Sequence, residues 1–331
     1  MFMAISRTPY RISFFGGGTD YPDWYLKHGG SVLSMAIDKY CYITGRHMPP
    51  FFGIRHRIVW SHIETVGAIS EILHPAVRAG LKATGFDDEE GVELHHQGDL
   101  PARSGIGSSS AFAVGLINVL HAMRGEALSR DALALAAIDL ERNHLKETVG
   151  CQDQIASAHG GLNVIQFRRN GAIEVEPIEL PDDIRREFER RLMVFYTGTS
   201  RLSSSMAQQF VDNLDAKERN LKSMQAMVPE AALLLKGGDF EAFGKMLHET
   251  WMLKRSLTAS ISTSAIDRIY DDARRAGALG GKLLGAGGSG FMAFVVPPEK
   301  QPAVRESLST LISVPIRADF TGSTIIYRQD E

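Results

Sequence analysis

The chain has 331 residues, of which 44% are hydrophobic and 23% charged, a composition that is typical of a globular protein and long enough for two domains. Its formal net charge of −3 gives no reason to expect nucleic acid or an acidic membrane surface as a partner. Two cysteines exclude a disulfide framework, and the absence of a signal-peptide pattern and of any membrane-length apolar run leads us to expect a cytoplasmic protein without a membrane partner.

Glycines and polar residues follow the first predicted strand, over residues 11–15. Three glycines at 16–18 have no side chains to pack, so they serve tight turning or the close approach of a ligand. Thr19 and Asp20 come next and are able to bind hydroxyl groups, and the alternative is a loop with an Asx turn at Asp20. Beyond this loop, hydrophobic periodicity predicts a strand pair over 31–44, a strand over 57–60, a helix over 66–84 and a strand over 92–96.

A phosphate-binding loop is predicted at residues 105–110, within the stretch 98–119. Two glycines around an isoleucine precede three serines: Gly105, Ile106, Gly107, Ser108, Ser109 and Ser110. An apolar run with helical spacing follows the serines. In such a serine-capped helix the unpaired first-turn N–H groups and the helix dipole favour an anion, and the glycines let phosphate oxygens approach. Three serines alone would indicate an ordinary N-cap, and the missing lysine excludes a Walker motif.

Two acidic residues follow on successive predicted helices. The first helix runs from about residue 129 to residue 143, and Glu141 lies four residues after an alanine of its apolar face. A carboxylate on this face needs a partner that offsets its desolvation. The spacing is compatible with binding of Mg²⁺, with an ion pair to Arg142 or Lys146, and with a Glu141 side chain that reaches water. A shorter helix over 150–160 places Asp153 in its first turn, where an acid is favourable on dipole grounds alone.

The second half is predicted to form an α+β layer domain. After a strand over 162–167 and a charged, linker-like stretch over 181–190, strands are predicted over 192–196, 290–296 and 324–328. Helices are predicted over 203–227, 229–236, 240–255, 264–276 and 299–312. Residues 285–290 satisfy Gly-x-Gly-x-x-Gly, but a strand follows them where a dinucleotide-binding loop needs a helix, so an oxidoreductase site is excluded.

Three segments resemble the motifs of the GHMP kinases, the family of galactokinase, homoserine kinase and mevalonate kinase. They are R-I-S-F-F-G-G-G-T-D-Y at 11–21, P-A-R-S-G-I-G-S-S at 101–109 and L-G-A-G-G-S-G at 284–290, in the family's order across nearly the whole chain. The resemblance implies a two-domain α+β fold, with an N-terminal domain of the ribosomal S5 domain 2 type over 1–185 and a ferredoxin-like C-terminal domain over 186–331. It also implies ATP- and Mg²⁺-dependent phosphoryl transfer to a small-molecule hydroxyl, at an active site between the domains.

The resemblance further implies roles for individual residues. Residues 105–110 would hold the phosphates of ATP, with Ser109 and Glu141 as ligands of Mg²⁺. Asp153 would accept the proton of the acceptor hydroxyl, while Arg11 would keep Asp153 ionised and stabilise charge on the transferred phosphoryl group. The expected sugar-binding residues are Gly17, Gly18, Asp20, Arg201, Gly287 and Gly288.

Within the family, the motifs are most similar to those of members that phosphorylate the anomeric hydroxyl of a heptose 7-phosphate. The expected partners are ATP and a small sugar phosphate, whose distal phosphate needs donors such as Arg201, Lys254 or Arg255. Galactose is not expected, because galactokinases carry an acid and a histidine at the positions of Gly17 and Gly18. The alternatives are an L-fucokinase-type enzyme and a non-catalytic sugar sensor, and the presence of both acids disfavours the sensor. A homodimer is left open.

Overall fold

The computed structural model of the chain describes residues 3–198, 207–208, 211–212, 214, 217–258 and 261–329. Two long antiparallel strands, β1 (Met3–Phe15) and β2 (Gly30–His47), form the centre of the first half. The strand pair predicted over 31–44 is wrong, because β2 is continuous. Different neighbours hold its two halves extended: β5 (Val92–Gly98) pairs with the C-terminal half and β6 (Leu162–Phe167) with the N-terminal half.

Shorter strands complete this sheet, which has eight strands among the described residues. β3 (His56–Val59) pairs with β5 and with β4 (Ile63–Val66), and β7 (Ile173–Pro177) pairs with β6. The strand β12 (Thr324–Arg328) pairs antiparallel with β1, so the C-terminal end of the chain returns to the sheet of the first half. The domain boundary at 185/186 stays a prediction, and it falls inside the helix Asp182–Arg191.

Helices of the first half pack on this sheet and on one another. α3 (Ser108–Met123) lies against β1 and β2, and both α4 (Arg130–Asp139) and α5 (Gln152–His159) lie against α3. α1 (Pro22–His28) follows the first glycine loop, and α2 (Pro75–Ala83) is shorter than the helix predicted over 66–84. The late start of α2 has a local cause, because proline disfavours a helical residue before it and suits the first helical position.

The second half contains an antiparallel sheet, with four strands among the described residues in the order β11-β8-β10-β9. Its strands are β8 (Leu192–Tyr196), β9 (Gly280–Leu283), β10 (Phe291–Val295) and β11 (Ile312–Val314). The helices of this half whose bounds are described are α6 (Asp182–Arg191), α7 (Glu218–Gly237), α8 (Phe240–Arg255), α9 (Ser264–Arg275) and α10 (Gln301–Ser307). Across the part of the chain with described structure, no helix combines the length and the apolar character that crossing a bilayer requires.

Two predictions in this half are wrong. The stretch 181–190, predicted as a linker, is the N-cap Pro181 followed by α6. Phe188 is buried, and the charged residues around it form ion pairs at helical spacing. The helix break predicted before Pro229 is absent, since α7 runs through the proline. Val228 and Leu235 are buried on either side, and this burial offsets the hydrogen bond that proline removes.

A buried aromatic cluster joins the two halves. The ring centroid of Phe14, on β1, lies 5.7 Å from those of Phe188 on α6 and Phe243 on α8. The rings are tilted or edge-on, and such pairs add about 0.5–1.5 kcal/mol each to the effect of burial. Because β1 leads from Phe14 directly into the glycine loop at 16–18, the cluster positions that loop against the second half.

Candidate active site

A buried ion pair lies where β1 meets the first turn of α5. Arg11 has 4% of its surface exposed, and its Nε donates to Asp153 Oδ1 at 2.7 Å while its Nη2 donates to Oδ2 at 2.5 Å. Arg11 Nη1 donates to the carbonyl oxygen of Gly105 at 2.7 Å. The side chain of Asp153 keeps 23% of its surface exposed, so the carboxylate is open to a ligand while the guanidinium beneath it is not. Such a bidentate pair fixes both side chains.

Asp20 lies beside this pair and is buried. The backbone N–H of Gly18 donates to its Oδ1 at 3.0 Å, and that of Gln152 donates to its Oδ2 at 3.2 Å. Burial, and then the charge of Asp153, raise the pKa of Asp20. A Cβ on Gly150 would lie 1.9 Å from Oδ2, so a side chain there would displace the Asp20 carboxylate. The structure therefore brings the first glycine loop and the start of α5 together around Asp20.

The predicted phosphate loop ends at Gly107, which is the N-cap of α3 with a φ of 74°. The prediction of a serine cap is wrong, because the helix begins with Ser108, whose hydroxyl accepts a hydrogen bond from the N–H of Arg103 at 3.0 Å instead. A Cβ on Gly107 would lie 3.2 Å from Cγ of Arg11, so the loop passes directly over the ion pair. The side chain of Ile106 is buried in the core. The first-turn N–H groups of α3 are thus next to Arg11 and Asp153, where an anion suits them.

Glu141 lies on a π-helical turn, Leu140–His144, with 1% of its surface exposed. Its Oε2 accepts hydrogen bonds from the Ser110 hydroxyl at 2.8 Å and from Nε2 of Gln154 at 2.5 Å, whereas Oε1 has no hydrogen-bond partner among the described residues. Burial raises the pKa of the Glu141 carboxyl to about 7, although these two hydrogen bonds oppose the shift. A buried carboxylate oxygen without a partner fits a hard cation such as Mg²⁺.

The alternatives for Glu141 find no support in the described contacts. Arg142 donates to Sγ of Cys151 at 3.8 Å, and burial excludes a side chain that reaches water. Ser109, the other predicted Mg²⁺ ligand, is exposed, and its neighbour Ser110 makes the contact to Glu141. Sequence reasoning missed this contact and the role of Gln154, for which the position next to Asp153 was the only signal.

The glycine loop of the second half packs against the phosphate loop of the first. The N–H of Phe291 donates to the carbonyl oxygen of Ser104 at 3.1 Å, and a Cβ on Gly285 would lie 2.4 Å from Cα of Gly105. The predicted sugar-binding glycines lie further along this loop. The N–H of Gly288 donates to the carbonyl oxygen of Ile261 at 3.0 Å, and a Cβ on Gly287 would lie 2.8 Å from Cα of Ile261. Backbone contact between the two loops therefore depends on residues without side chains.

We expect Gly285→Ala to lower kcat/KM roughly tenfold or more, because the added Cβ forces the two loops apart and misplaces the predicted phosphate site. Gly125→Ala is the matched control, since Gly125 also has a positive φ, of 77° against 72°, but has no atom within 4 Å of the added Cβ. Both variants carry the strain of a left-handed residue, about 1–2 kcal/mol. Melting temperatures and kinetics of the two proteins separate strain from contact, and equal kinetics would show that the loop contact is dispensable.

Two lysines lie near the ion pair. Nζ of Lys254, on α8, donates to the carbonyl oxygen of Gly285 at 2.5 Å, and Nζ of Lys282, on β9, donates to that of Phe14 at 3.0 Å. Burial lowers the pKa of the Lys254 ammonium to about 8, and the positive charge of Arg11 acts in the same direction. Burial and the charges of Lys254 and Arg11 lower the pKa of Lys282 well below its usual value. Sequence reasoning missed Lys282, although it stands just before the third glycine motif.

Arg255, which was also predicted to bind a distal phosphate, is paired with another side chain instead. Nη2 of Arg255 forms an ion pair with Oδ1 of Asp267 at 2.9 Å. Arg201 lies outside the described residues, so its predicted role stays a prediction.

Comparison with known proteins connects this site to a family. The model for the GHMP kinases N terminal domain matches residues 70–161, and the GHMP kinases C terminal model matches residues 230–312, which together is more than half of the chain. A D-glycero-alpha-D-manno-heptose 7-phosphate kinase of Campylobacter jejuni is 28% identical over 306 residues, 89% of this chain and 90% of that protein. An L-fucokinase/L-fucose-1-P guanylyltransferase of Bacteroides fragilis is 26% identical over 90% of this chain, which spans only 35% of that longer protein.

The fold has a solved counterpart over its full length. The crystal structure of a D-glycero-D-manno-heptose 1-phosphate kinase from Bacteroides thetaiotaomicron superposes with a TM-score of 0.80 over 99% of both chains, at 22% identity. This likeness confirms the predicted two-domain α+β fold. The two heptose kinases are described with the substrate phosphate at different positions, 7 in one and 1 in the other.

Proposed function

Because this chain belongs to the GHMP kinases, we propose that it is a sugar kinase that transfers the γ-phosphoryl group of ATP to a hydroxyl group of a heptose phosphate. The observation that carries the proposal is the Arg11–Asp153 ion pair directly beneath the N-terminus of α3. A carboxylate, a guanidinium and a helix N-terminus, which favours an anion, therefore lie close together. The specific acceptor that we propose is D-glycero-α-D-manno-heptose 7-phosphate, phosphorylated at its anomeric hydroxyl to the 1,7-bisphosphate.

Asp153 is proposed to orient the acceptor hydroxyl and to take its proton. As the bond between the acceptor oxygen and phosphorus forms, the bond between the γ-phosphorus and the oxygen of ADP breaks, and the hydroxyl proton passes to the Asp153 carboxylate. Arg11 holds that carboxylate in place through two hydrogen bonds and adds positive charge next to the transferred group. Catalysis of this kind depends on positioning and on charge more than on covalent chemistry.

The ATP phosphates are proposed to bind residues 105–110, at the first-turn N–H groups of α3. Oε1 of Glu141 and the hydroxyl of Ser109 would hold Mg²⁺, which supplies neutralisation of phosphate charge when it is bound. Ser110 and Gln154 orient Glu141 by donating to its other oxygen. Sugar hydroxyls are proposed to meet Asp20 and the adjoining glycine loop at 16–18. The product would serve the synthesis of GDP-heptose for capsule or lipopolysaccharide in the cytoplasm.

An acceptor panel tests this proposal. With ATP and Mg²⁺, we expect kcat/KM for heptose 7-phosphate to exceed that for unphosphorylated heptose roughly 10- to 100-fold, the effect of one charged hydrogen-bonded contact. Heptose 1-phosphate, L-fucose and galactose complete the panel, and phosphorus NMR of the product locates the new phosphate. Better turnover of L-fucose would establish the fucokinase alternative. Sugar binding by calorimetry without turnover of any acceptor would establish the sensor.

A further inference from the structure

We propose that Lys254 is a second catalytic cation of this site and contacts the transferred phosphoryl group of ATP, not the phosphate of the sugar. The inference rests on the proposed kinase function and assigns one more residue to it. It replaces the expectation that Lys254 binds a distal phosphate of the acceptor.

Position is the first argument. Nζ of Lys254 donates to the carbonyl oxygen of Gly285 at 2.5 Å and lies 3.5 Å from that of Leu283. Gly285 packs against Gly105, whose carbonyl oxygen accepts a hydrogen bond from Arg11 at 2.7 Å. Two backbone contacts thus connect the ammonium group with the phosphate loop and with the guanidinium beneath it.

Charge is the second argument. Among the described residues, no carboxylate oxygen lies within 4 Å of Lys254, since Asp153 is paired with Arg11 and Asp20 accepts from backbone N–H groups. A partly buried ammonium that meets only carbonyl oxygens leaves its charge uncompensated, which is costly unless a ligand supplies the anion. Two carbonyl oxygens occupy at most two of its three N–H donors, so one remains for that anion.

The orientation of the acceptor in the site indicates which phosphate Lys254 contacts. Asp153 marks the end of the acceptor at which phosphoryl transfer takes place, and the distal phosphate of a heptose 7-phosphate lies at the opposite end of the sugar. Lys254 donates to the carbonyl oxygen of Gly285, and Gly285 packs against Gly105 directly beside Arg11, so the ammonium lies at the transfer end. Because its pKa is about 8, Lys254 carries its charge at neutral pH.

Binding of two nucleotides that differ only in the γ-phosphoryl group tests the contact directly. Lys254→Met keeps the length of the side chain and removes the ammonium. In calorimetry with Mg²⁺, we expect its affinity for a non-hydrolysable ATP analogue to fall roughly 10- to 100-fold, with the affinity for ADP unchanged. Its kcat should fall roughly 100-fold with phosphorylated and unphosphorylated acceptors alike. Lys245→Met is the matched control, since Lys245 lies on the same helix, is exposed and pairs with Glu241.

The pH profile gives a readout that a structural role would not move. The charged groups facing Lys254 are Arg11 on β1, Asp20 in the glycine loop, Asp153 on α5 and Lys282 on β9. A lysine whose pKa is lowered is protonated below that pKa, so kcat/KM of the wild type should fall as the pH rises through about 8. Lys254→Arg keeps its charge to much higher pH, and the alkaline fall should move accordingly.

Three results would overturn the inference. One is a loss in Lys254→Met confined to the KM of phosphorylated acceptors, which would place the ammonium at the distal phosphate. Another is equal loss of affinity for ADP and for the ATP analogue, and the third is an alkaline fall that Lys254→Arg leaves in place. If Lys254→Met folds poorly, the pH dependence of kcat/KM in Lys254→Arg tests the inference instead. A wild type inactive with every acceptor would refute the proposed function, while the nucleotide comparison would still test Lys254.

Discussion

Asp153→Asn is expected to lower kcat roughly 10²- to 10⁴-fold while binding of an ATP analogue stays unchanged. Asparagine keeps the size of the side chain but removes the charge and the proton acceptor, and the ATP phosphates are proposed to bind elsewhere, at residues 105–110. Steady-state kinetics and calorimetry measure the two quantities. The variant should also melt at a lower temperature, because it leaves the buried guanidinium of Arg11 without its partner. Removing one partner of a buried pair costs about 3–5 kcal/mol, and the partial exposure of Asp153 favours the lower end.

Two further variants separate catalysis from stability. The double variant Arg11→Met, Asp153→Asn has no unpaired charge, so it should regain stability relative to Asp153→Asn without regaining kcat. Asp131→Asn is the control for the alternative that Asp153 is only a favourable first-turn acid, since Asp131 occupies the first turn of α4 and is exposed. That variant should keep normal turnover and lose at most about 1 kcal/mol. Near-normal kcat in Asp153→Asn would remove Asp153 from the chemistry.

Glu141→Gln is expected to raise the Mg²⁺ concentration for half-maximal rate roughly 10- to 100-fold, or to abolish activity if the site no longer loads. Glutamine preserves an oxygen that accepts from Ser110 and Gln154 but removes the charge that a divalent cation needs. Binding of Mn²⁺ followed by electron paramagnetic resonance measures the site without turnover. Asp139→Asn, an exposed acid at the end of the adjoining helix α4, serves as the control.

The stability of Glu141→Gln distinguishes a metal ligand from a structural acid. Because the folded-state pKa of Glu141 is raised to about 7, the native protein binds an extra proton below that pH, and its stability falls as the pH rises from the unfolded pKa through 7. Glutamine does not ionise, so the variant avoids the loss of stability that comes with a buried charge. Without Mg²⁺ it should therefore melt at or above the wild-type temperature at pH 8. A lower melting temperature with an unchanged Mg²⁺ requirement would show that Glu141 serves packing only.

Local sequence was sufficient for the elements whose ends are marked by neighbouring residues. β6, β8, β12 and α8 have the bounds that were predicted, and α8 begins where the side chain of Asp239 accepts a hydrogen bond from the N–H of Ala242 at 3.0 Å. α6 and the passage of α7 through Pro229 could not be predicted in this way. Both depend on burial against distant segments, which overrides the local preference of charged residues and of proline.

The same distinction holds at the site. Glycine loops, their order along the chain and the two acids on successive helices are readable from residue type and spacing, because close backbone approach and helix periodicity are local properties. Spacing could not pair Arg11 with Asp153 across 142 positions, choose Ser110 as the hydroxyl that holds Glu141, or bring Lys254 to the glycine loop that packs against the phosphate loop. The family resemblance implied the interaction of Arg11 with Asp153, whereas the other two arrangements came only with the tertiary structure. Desolvation and charge pairing depend on which distant groups meet when water is excluded.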